Sequence, residues 1–202
     1  MAESALRQSA LASLQLGARA VADAHEAAVR LSERPFRGHL NLRLDGADAA
    51  LAAALEGALG FALPLEPNTS AGAGGVTALW LGPDEWLVVT AEGREARVAA
   101  ALRQALAGAG AVTEVGDART VIALAGPRAR EVLMKGCSLD LHASVFTPGR
   151  CAQSAVGRAQ AILHLVDEAP EFELYVQRSF AEYLWRWLED AAAEYGVAVV
   201  EE

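Results

Sequence analysis

Apolar and polar residues alternate along Val29-Arg30-Leu31 and Leu40-Asn41-Leu42-Arg43-Leu44, the period of strands with one buried face. Pro35 and Gly38 separate the two, and Asp45-Gly46 closes the second. Farther on the apolar runs become continuous. Val76-Thr77-Ala78-Leu79-Trp80-Leu81 and Trp86-Leu87-Val88-Val89-Thr90 flank Gly82-Pro83-Asp84-Glu85, which predicts a hairpin through a Pro-Asp turn. Ala111 to Val115 predicts another strand, and Ala161 to Val166 and Phe172 to Val176 two more around the turn Asp167-Glu168-Ala169-Pro170. Helical spacing takes over in three places. Ala49 to Leu59 sets Leu51, Leu55, Ala58 and Leu59 on one face before Gly60, and Arg94 to Ala107 does the same with Val98, Leu102 and Leu106 before Gly108 and Gly110. Near the end, Ser179 and Glu182 have the spacing of a capping box. Phe180, Tyr183, Leu184, Trp187, Leu188 and Ala191 form its inward stripe as far as Tyr195-Gly196. Trp185 lies off that stripe and is expected partly exposed or pressed against a second protein, a setting that favours tryptophan.

Residues 115–141 carry the densest local signals. Val121-Ile122-Ala123-Leu124-Ala125 predicts a buried strand stopped by Gly126-Pro127. Pro127 suits the first turn of a helix whose apolar residues are Val132, Leu133 and Met134. Lys135 is expected at the negative end of that helix's dipole and Gly136 in a left-handed closing position, before an extended Leu139-Asp140-Leu141. The glycine-rich run at 71–75 is not a phosphate cradle, because it leads into a strand instead of opening a helix; a flexible surface loop over Pro64 to Gly75 is expected. In residues 1–27, Leu6, Ala10, Leu14, Ala18 and Val21 recur at helical spacing while Gly17 weakens it. Two readings stand there, an arm that orders on a partner subunit and a loose tail. LWLGPDEW and IALAGPRA each place Gly-Pro after an apolar strand, an echo that two related α+β halves would produce. The expected organisation is an arm over 1–27 and two small α/β subdomains, 28–110 and 111–202, with mainly antiparallel sheets in an α+β fold.

With 202 residues and 53% hydrophobic content the chain has ample material for a core, which rules out general disorder. A net charge of −9 argues against a nucleic-acid partner, which needs a basic face. No secretory pattern and no apolar run near the ~20 residues that span a bilayer occur, so a cytoplasmic protein without a membrane partner is expected. Its two cysteines, Cys137 and Cys151, are expected reduced.

The search for chemistry is mostly negative. His25, His39, His142 and His164 form no HxH or HExxH, and no GxSxG, GxGxxG or Walker pattern occurs. His164 inside an apolar strand reads as a structural histidine. In an extended segment Asp140 and His142 point the same way; a loop-ordering hydrogen bond is favoured over an acid–base pair, since no nucleophile is placed beside them. Asp117 reads as a turn residue and Cys137 as a small buried one. No catalytic, cofactor-binding or metal residue is assigned. Trp80 and Trp185 are the candidates for partner contacts.

The blocks LWLGPDEWLVV, GDARTVIALAGPRAREVLMKGCSLDLH, VFTPGRCAQSAVGRAQAILH and FELYVQRSFAEYLWRWL, in that order, resemble the gamma subunit of heterotetrameric sarcosine oxidase from about Val29 to the last helix. The resemblance implies a fold related to the folate-binding domain of the glycine-cleavage T-protein. It also implies a complex with alpha, beta and delta subunits that oxidises sarcosine to glycine. Oxygen would become hydrogen peroxide, and the methyl carbon would leave as formaldehyde or 5,10-methylenetetrahydrofolate. FAD, FMN, NAD, zinc and tetrahydrofolate are then expected in the other subunits, with no cofactor on this chain and a structural role for it. Lys135-Gly136-Cys137 matches the start of a motif of iron–sulfur maintenance proteins, but Ser138-Leu139-Asp140 breaks it, so that cysteine's role is not carried over. The alternative is a stand-alone folate-binding or aminomethyltransferase-like protein, with an acidic residue such as Asp117 at the pterin or amine. The residues alone leave open a structural protein outside one-carbon metabolism.

Overall fold

A computed structural model describes residues 7–201 of the chain. After a short helix α1 (Leu16–Arg19) come β1 (Val29–Arg34), β2 (Gly38–Leu44), α2 (Ala49–Leu59), β3 (Ser70–Ala73), β4 (Val76–Gly82), β5 (Glu85–Thr90) and α3 (Glu95–Leu106). There follow β6 (Gly110–Glu114), β7 (Arg119–Ala125), α4 (Ala129–Met134), β8 (Cys151–Val156), β9 (Ala159–Asp167), β10 (Glu171–Gln177), α5 (Ala181–Ala192) and β11 (Val197–Val199). They build a five-stranded sheet, β3-β4-β5-β2-β6, and a six-stranded sheet, β11-β1-β7-β10-β9-β8. The pairs are antiparallel except β1 with β11. The expected α+β class with mainly antiparallel sheets holds. Strand membership crosses the middle of the chain: β1 lies in the six-stranded sheet and β6 in the five-stranded one.

The two-residue period of a strand explains how the layers form. On β5, Trp86 and Val88 face a core shared with Leu55 and Leu59 of α2 and Leu102 and Leu106 of α3. Leu87 and Val89, one residue out of phase, face the other way and meet Val121, Ile162 and Tyr175 of the second sheet. The second sheet turns Ile122, Leu124, Phe172 and Leu174 toward Val132 and Leu133 of α4 and Leu184, Trp185 and Leu188 of α5. The order is therefore helices, sheet, sheet, helices, and the continuous apolar runs are strands buried on both faces. An isolated bridge between Thr69 and Arg150 ties the sheets at one corner.

Several local expectations are corrected. The glycine-rich segment is no loop: β3 pairs with β4 through a turn at Gly74 and Gly75, both in left-handed conformation. β8 and β11 were not foreseen, because Cys151–Val156 mixes small and polar residues and Val197–Val199 is too short to show a period. Ser179 does not cap α5. It sits in a 3-10 turn over Arg178–Phe180, the N-cap is Phe180, and no side chain caps the helix. By contrast the Asp48 side chain accepts from Ala50 N and Leu51 N at 2.9 and 3.1 Å and starts α2.

Because α5 begins at Ala181, its inward stripe is Ala181, Leu184, Trp185, Leu188, Ala191 and Ala192. Trp185 is thus wholly buried within the chain, which corrects its placement at a surface, while Phe180 and Tyr183 are exposed at 43% and 37%. Gly136 is not in the left-handed region. It is required for a different reason, since a Cβ there would overlap the Trp187 ring. Lys135 reaches past its own helix to the Ala191 carbonyl and to Glu194, so it serves the C-terminal end of α5.

In the N-terminal arm, Leu6 lies outside the described residues. From Arg7 onward the arm docks on its own chain. Leu11 is buried in the α5-side core, Arg178 donates to the carbonyls of Gln8 and Ser9, and Val21 N donates to Val199 O. Helix there is confined to one 3-10 turn, Ala12–Leu14, and the single turn of α1.

Candidate functional site

The strand phase that turns Leu40, Leu124, Leu163 and Phe172 toward the helices turns His39, His164, Glu173 and Tyr175 into the seam between the sheets. These four side chains are buried, with exposures of 1 to 8%. Glu173 is their hub. Its Oε2 accepts from the Tyr175 hydroxyl and lies 3.4 Å from His164 Nδ1. Its Oε1 accepts from Arg34 Nη1 at 2.7 Å, with Arg37 Nη2 4.0 Å away, and Arg34 Nη2 donates to Glu171 at 2.6 Å. The other ring nitrogen of His164, Nε2, is 2.9 Å from Ser70 Oγ, which also donates to Gly149 O at 3.0 Å.

The electrostatics follow from this packing. Burial by itself would raise the Glu173 carboxyl. The hydrogen bonds from His164 and Tyr175 and the Arg34 charge overcome it and hold the group at about 2. Tyr175 is pushed well above its ordinary value by burial first and by the adjoining Glu173 charge second. His39 stacks edge-on against Tyr175 at 5.8 Å. Its ring nitrogens are buried without a hydrogen-bond partner among the described residues. Burial, then the Arg119 charge, lower it to about 4, so it is neutral at physiological pH.

Ser70, His164 and Glu173 stand in the order of a hydrolytic triad, but the Ser70 hydroxyl lies as close to the Gly149 carbonyl as to His164. The cluster braces β1, β9 and β10 within the six-stranded sheet by charge-assisted bonds, and the Ser70–His164 contact ties β3 of the other sheet to it.

The structure brings Asp140 and His142 together only as a loop brace. Asp140 Oδ1 accepts from His142 N at 3.0 Å, and His142 Nδ1 lies 2.7 Å from Ser144 Oγ. The expected loop-ordering hydrogen bond is present, and His164 is hydrogen-bonded through both ring nitrogens. Cys137 is buried, with its thiol 3.7 Å from Ser154 Oγ. Cys151 is fully buried and its thiol is pushed up to about 11 by burial, which keeps it protonated. Asp117 is exposed in a 3-10 turn over Gly116–Ala118. Trp80 is half-buried against the α2–α3 core. Among the described residues no three His, Cys, Asp or Glu side chains are grouped to hold a metal ion. Sequence reasoning missed the hub because Arg34, Ser70, His164 and Glu173 come from four separate strands. The available signal was a glutamate and a histidine inside strands otherwise apolar.

Two packed sheets flanked by helices are an architecture that this chain shares with an aminomethyltransferase. The chain aligns over 97% of its length with 60% of the glycine cleavage system aminomethyltransferase T from Bartonella henselae, with a TM-score of 0.73 at 17% identity, a likeness of fold. Residues 43–194 match the sarcosine oxidase, gamma subunit family, and the chain belongs to that family. It is 34% identical over 201 residues to the sarcosine oxidase subunit gamma of Corynebacterium sp. (strain U-96), covering 96% of this chain and 94% of that one. It is 35% identical over 175 residues to the Arthrobacter sp. subunit gamma, covering 86% and 84%. Against a chain of the heterotetrameric sarcosine oxidase from Corynebacterium sp. U-96 in complex with pyrrole 2-carboxylate, the TM-score is 0.82 with 94% and 96% covered. Among the described residues no helix is long and apolar enough to cross a membrane.

Proposed function

We propose that this chain is the gamma subunit of a heterotetrameric sarcosine oxidase and serves it by structure and assembly, without a catalytic residue of its own. The observation that carries the reading is near full-length similarity, in sequence and in fold, to subunit gamma of the Corynebacterium enzyme. The geometry supports a non-catalytic part. Glu173 and Tyr175 are buried and bonded to each other, His164 bonds to Glu173 while lining a surface concavity with Ser70, and Asp140 and His142 brace a loop. The partners are the alpha, beta and delta subunits. These hold FAD, FMN, NAD, zinc and tetrahydrofolate, and the assembly works in the cytoplasm. The complex oxidises sarcosine with oxygen to glycine and hydrogen peroxide, with the methyl carbon released as formaldehyde or captured as 5,10-methylenetetrahydrofolate. Trp80, half-exposed on β4, is the contact candidate that survives the burial of Trp185. The two subdomains, 28–110 and 111–202, act as one unit, because β1 and β6 each complete the sheet of the other half, and the arm of 1–27 docks on them where it is described, from Arg7 onward.

The test is to express the chain alone and together with the other three subunits. Alone it is expected to purify colourless, to form no peroxide from sarcosine and to give no saturable heat with tetrahydrofolate. With the others it is expected to copurify in a flavin-containing, sarcosine-oxidising complex. Flavin bound by the isolated chain, or failure to enter the complex, overturns the proposal. Tetrahydrofolate binding by the isolated chain favours the stand-alone folate-binding reading.

A further inference from the structure

Three arginines from distant parts of the chain meet at one concavity of about 250 Å³: Arg7 in the arm, Arg119 at the start of β7 and Arg178 just after β10. An adjoining concavity shares Arg119 and Arg178 as its wall. A convergence of cations is conspicuous in a chain of net charge −9, whose overall field repels anions and leaves any attraction for them to local groups.

Two of the three guanidinium groups are already engaged. Arg178 donates to the Gln8 and Ser9 carbonyls at 2.7 and 3.2 Å and so holds the arm in place as one wall. Arg7 pairs with Glu92 at 2.7 Å and lies 4.3 Å over the Phe36 ring. Phe36 itself sits at φ 60, a left-handed conformation rare for a bulky residue. Arg119 differs from both. It is half-buried, and among the described residues it has neither a hydrogen-bond nor an ion-pair partner, although Asp117 lines the same concavity. A guanidinium withdrawn from water without a counter-charge is unfavourable. Its planar fork of donors matches an oxyanion. The positive field also reaches the buried ring of His39 behind the Gly116 turn, where the Arg119 and Arg37 charges add to burial in disfavouring the imidazolium.

We propose that this concavity binds a small oxyanion, a carboxylate or phosphate group, with Arg119 as its principal ligand and Arg178 supplying charge while it keeps the arm closed. The volume suits a group of a few heavy atoms and is below that of pockets for larger ligands. This site does not depend on the role of the chain in sarcosine oxidation.

The test is isothermal titration of the full chain with inorganic phosphate and, separately, with succinate. Saturable binding of either is expected, and the one that binds more tightly names the oxyanion. Arg119→Gln is expected to weaken it by about tenfold or more, the size of one lost charge-assisted hydrogen bond. Arg97→Gln removes the same charge at an exposed place on α3 and is expected to change nothing. Should Arg119→Gln fold poorly, phenylglyoxal labelling of the unaltered chain read by mass spectrometry serves instead. The bound ion is expected to shield Arg119 and leave Arg97 reactive. The proposal is overturned by absence of saturable heat with both ions, by equal losses in the two variants, or by labelling of Arg119 that neither ion slows.

Discussion

The outer faces of the two sheets and the seam between them are built from the same alternating strands, yet they are opposite kinds of interior. On the outer faces Trp86 and Leu124 of the sheets pack against Leu102 and Trp185 of the helices. In the seam, apolar contacts among Leu87, Val89 and Ile162 surround a charged hub at Glu173. The difference shows that one strand alternation can bury hydrocarbon on one face and a bonded ionic hub on the other. Among the described residues the members of the hub are hydrogen-bonded or ion-paired, and His39 beside them stays neutral.

The contrast can be broken from either side. The largest loss is expected on the outer face. Trp185→Ala empties a wholly buried site and should cost about 3–5 kcal/mol in urea unfolding. At the seam, Glu173→Gln leaves Arg34 beside a neutral amide, and about 3 kcal/mol of destabilisation is expected in the same assay. If Glu173→Gln were neutral, the hub would not brace β1, β9 and β10 against one another.

Acid should expose the seam in two steps. His39 is lowered from 6.5 to about 4 in the fold. The unfolded chain therefore takes up that proton first, and stability falls as pH drops through this window. Glu173, lowered from 4.5 to about 2, contributes stability above its ordinary value that is lost as pH falls toward 2. His39→Phe is expected to remove the first step and to change stability little at neutral pH, since a neutral buried ring gives way to an apolar ring of similar shape. Urea midpoints taken across the pH range check both steps. At the small end, Asp48→Ala should cost about 1 kcal/mol as a lost helix cap. Ser179→Ala should stay within about 0.5 kcal/mol, because its box never forms.

What could be read from the sequence divides along the same line. Helices α2 and α3 and the β4–β5 hairpin were legible because each is a local pattern closed by its own turn residues. The stripe of α5 was misjudged by one phase, since aromatic residues occupy both candidate faces and only the true start at Ala181 separates them. The seam was illegible as a site. Ser70 and Glu173 are about a hundred residues apart, and only sheet packing brings them to one histidine. The strand β3 was hidden because glycine and alanine carry little strand signal, while its pairing comes from β4. The family was legible in the Gly-Pro-Asp-Glu-Trp and Cys-Ser-Leu-Asp-Leu-His blocks, and those residues proved to be turns and packing.

The proposed structural role requires that the chemical-looking residues of this chain take no part in the oxidation of sarcosine. The most direct measurement is sarcosine-dependent peroxide formation per assembled complex carrying Asp140→Asn, His142→Gln and Cys137→Ala together in this chain. A kcat within about twofold of the unaltered complex is expected. A fall of about a hundredfold or more, in complexes that assemble fully and keep their flavin, would contradict it.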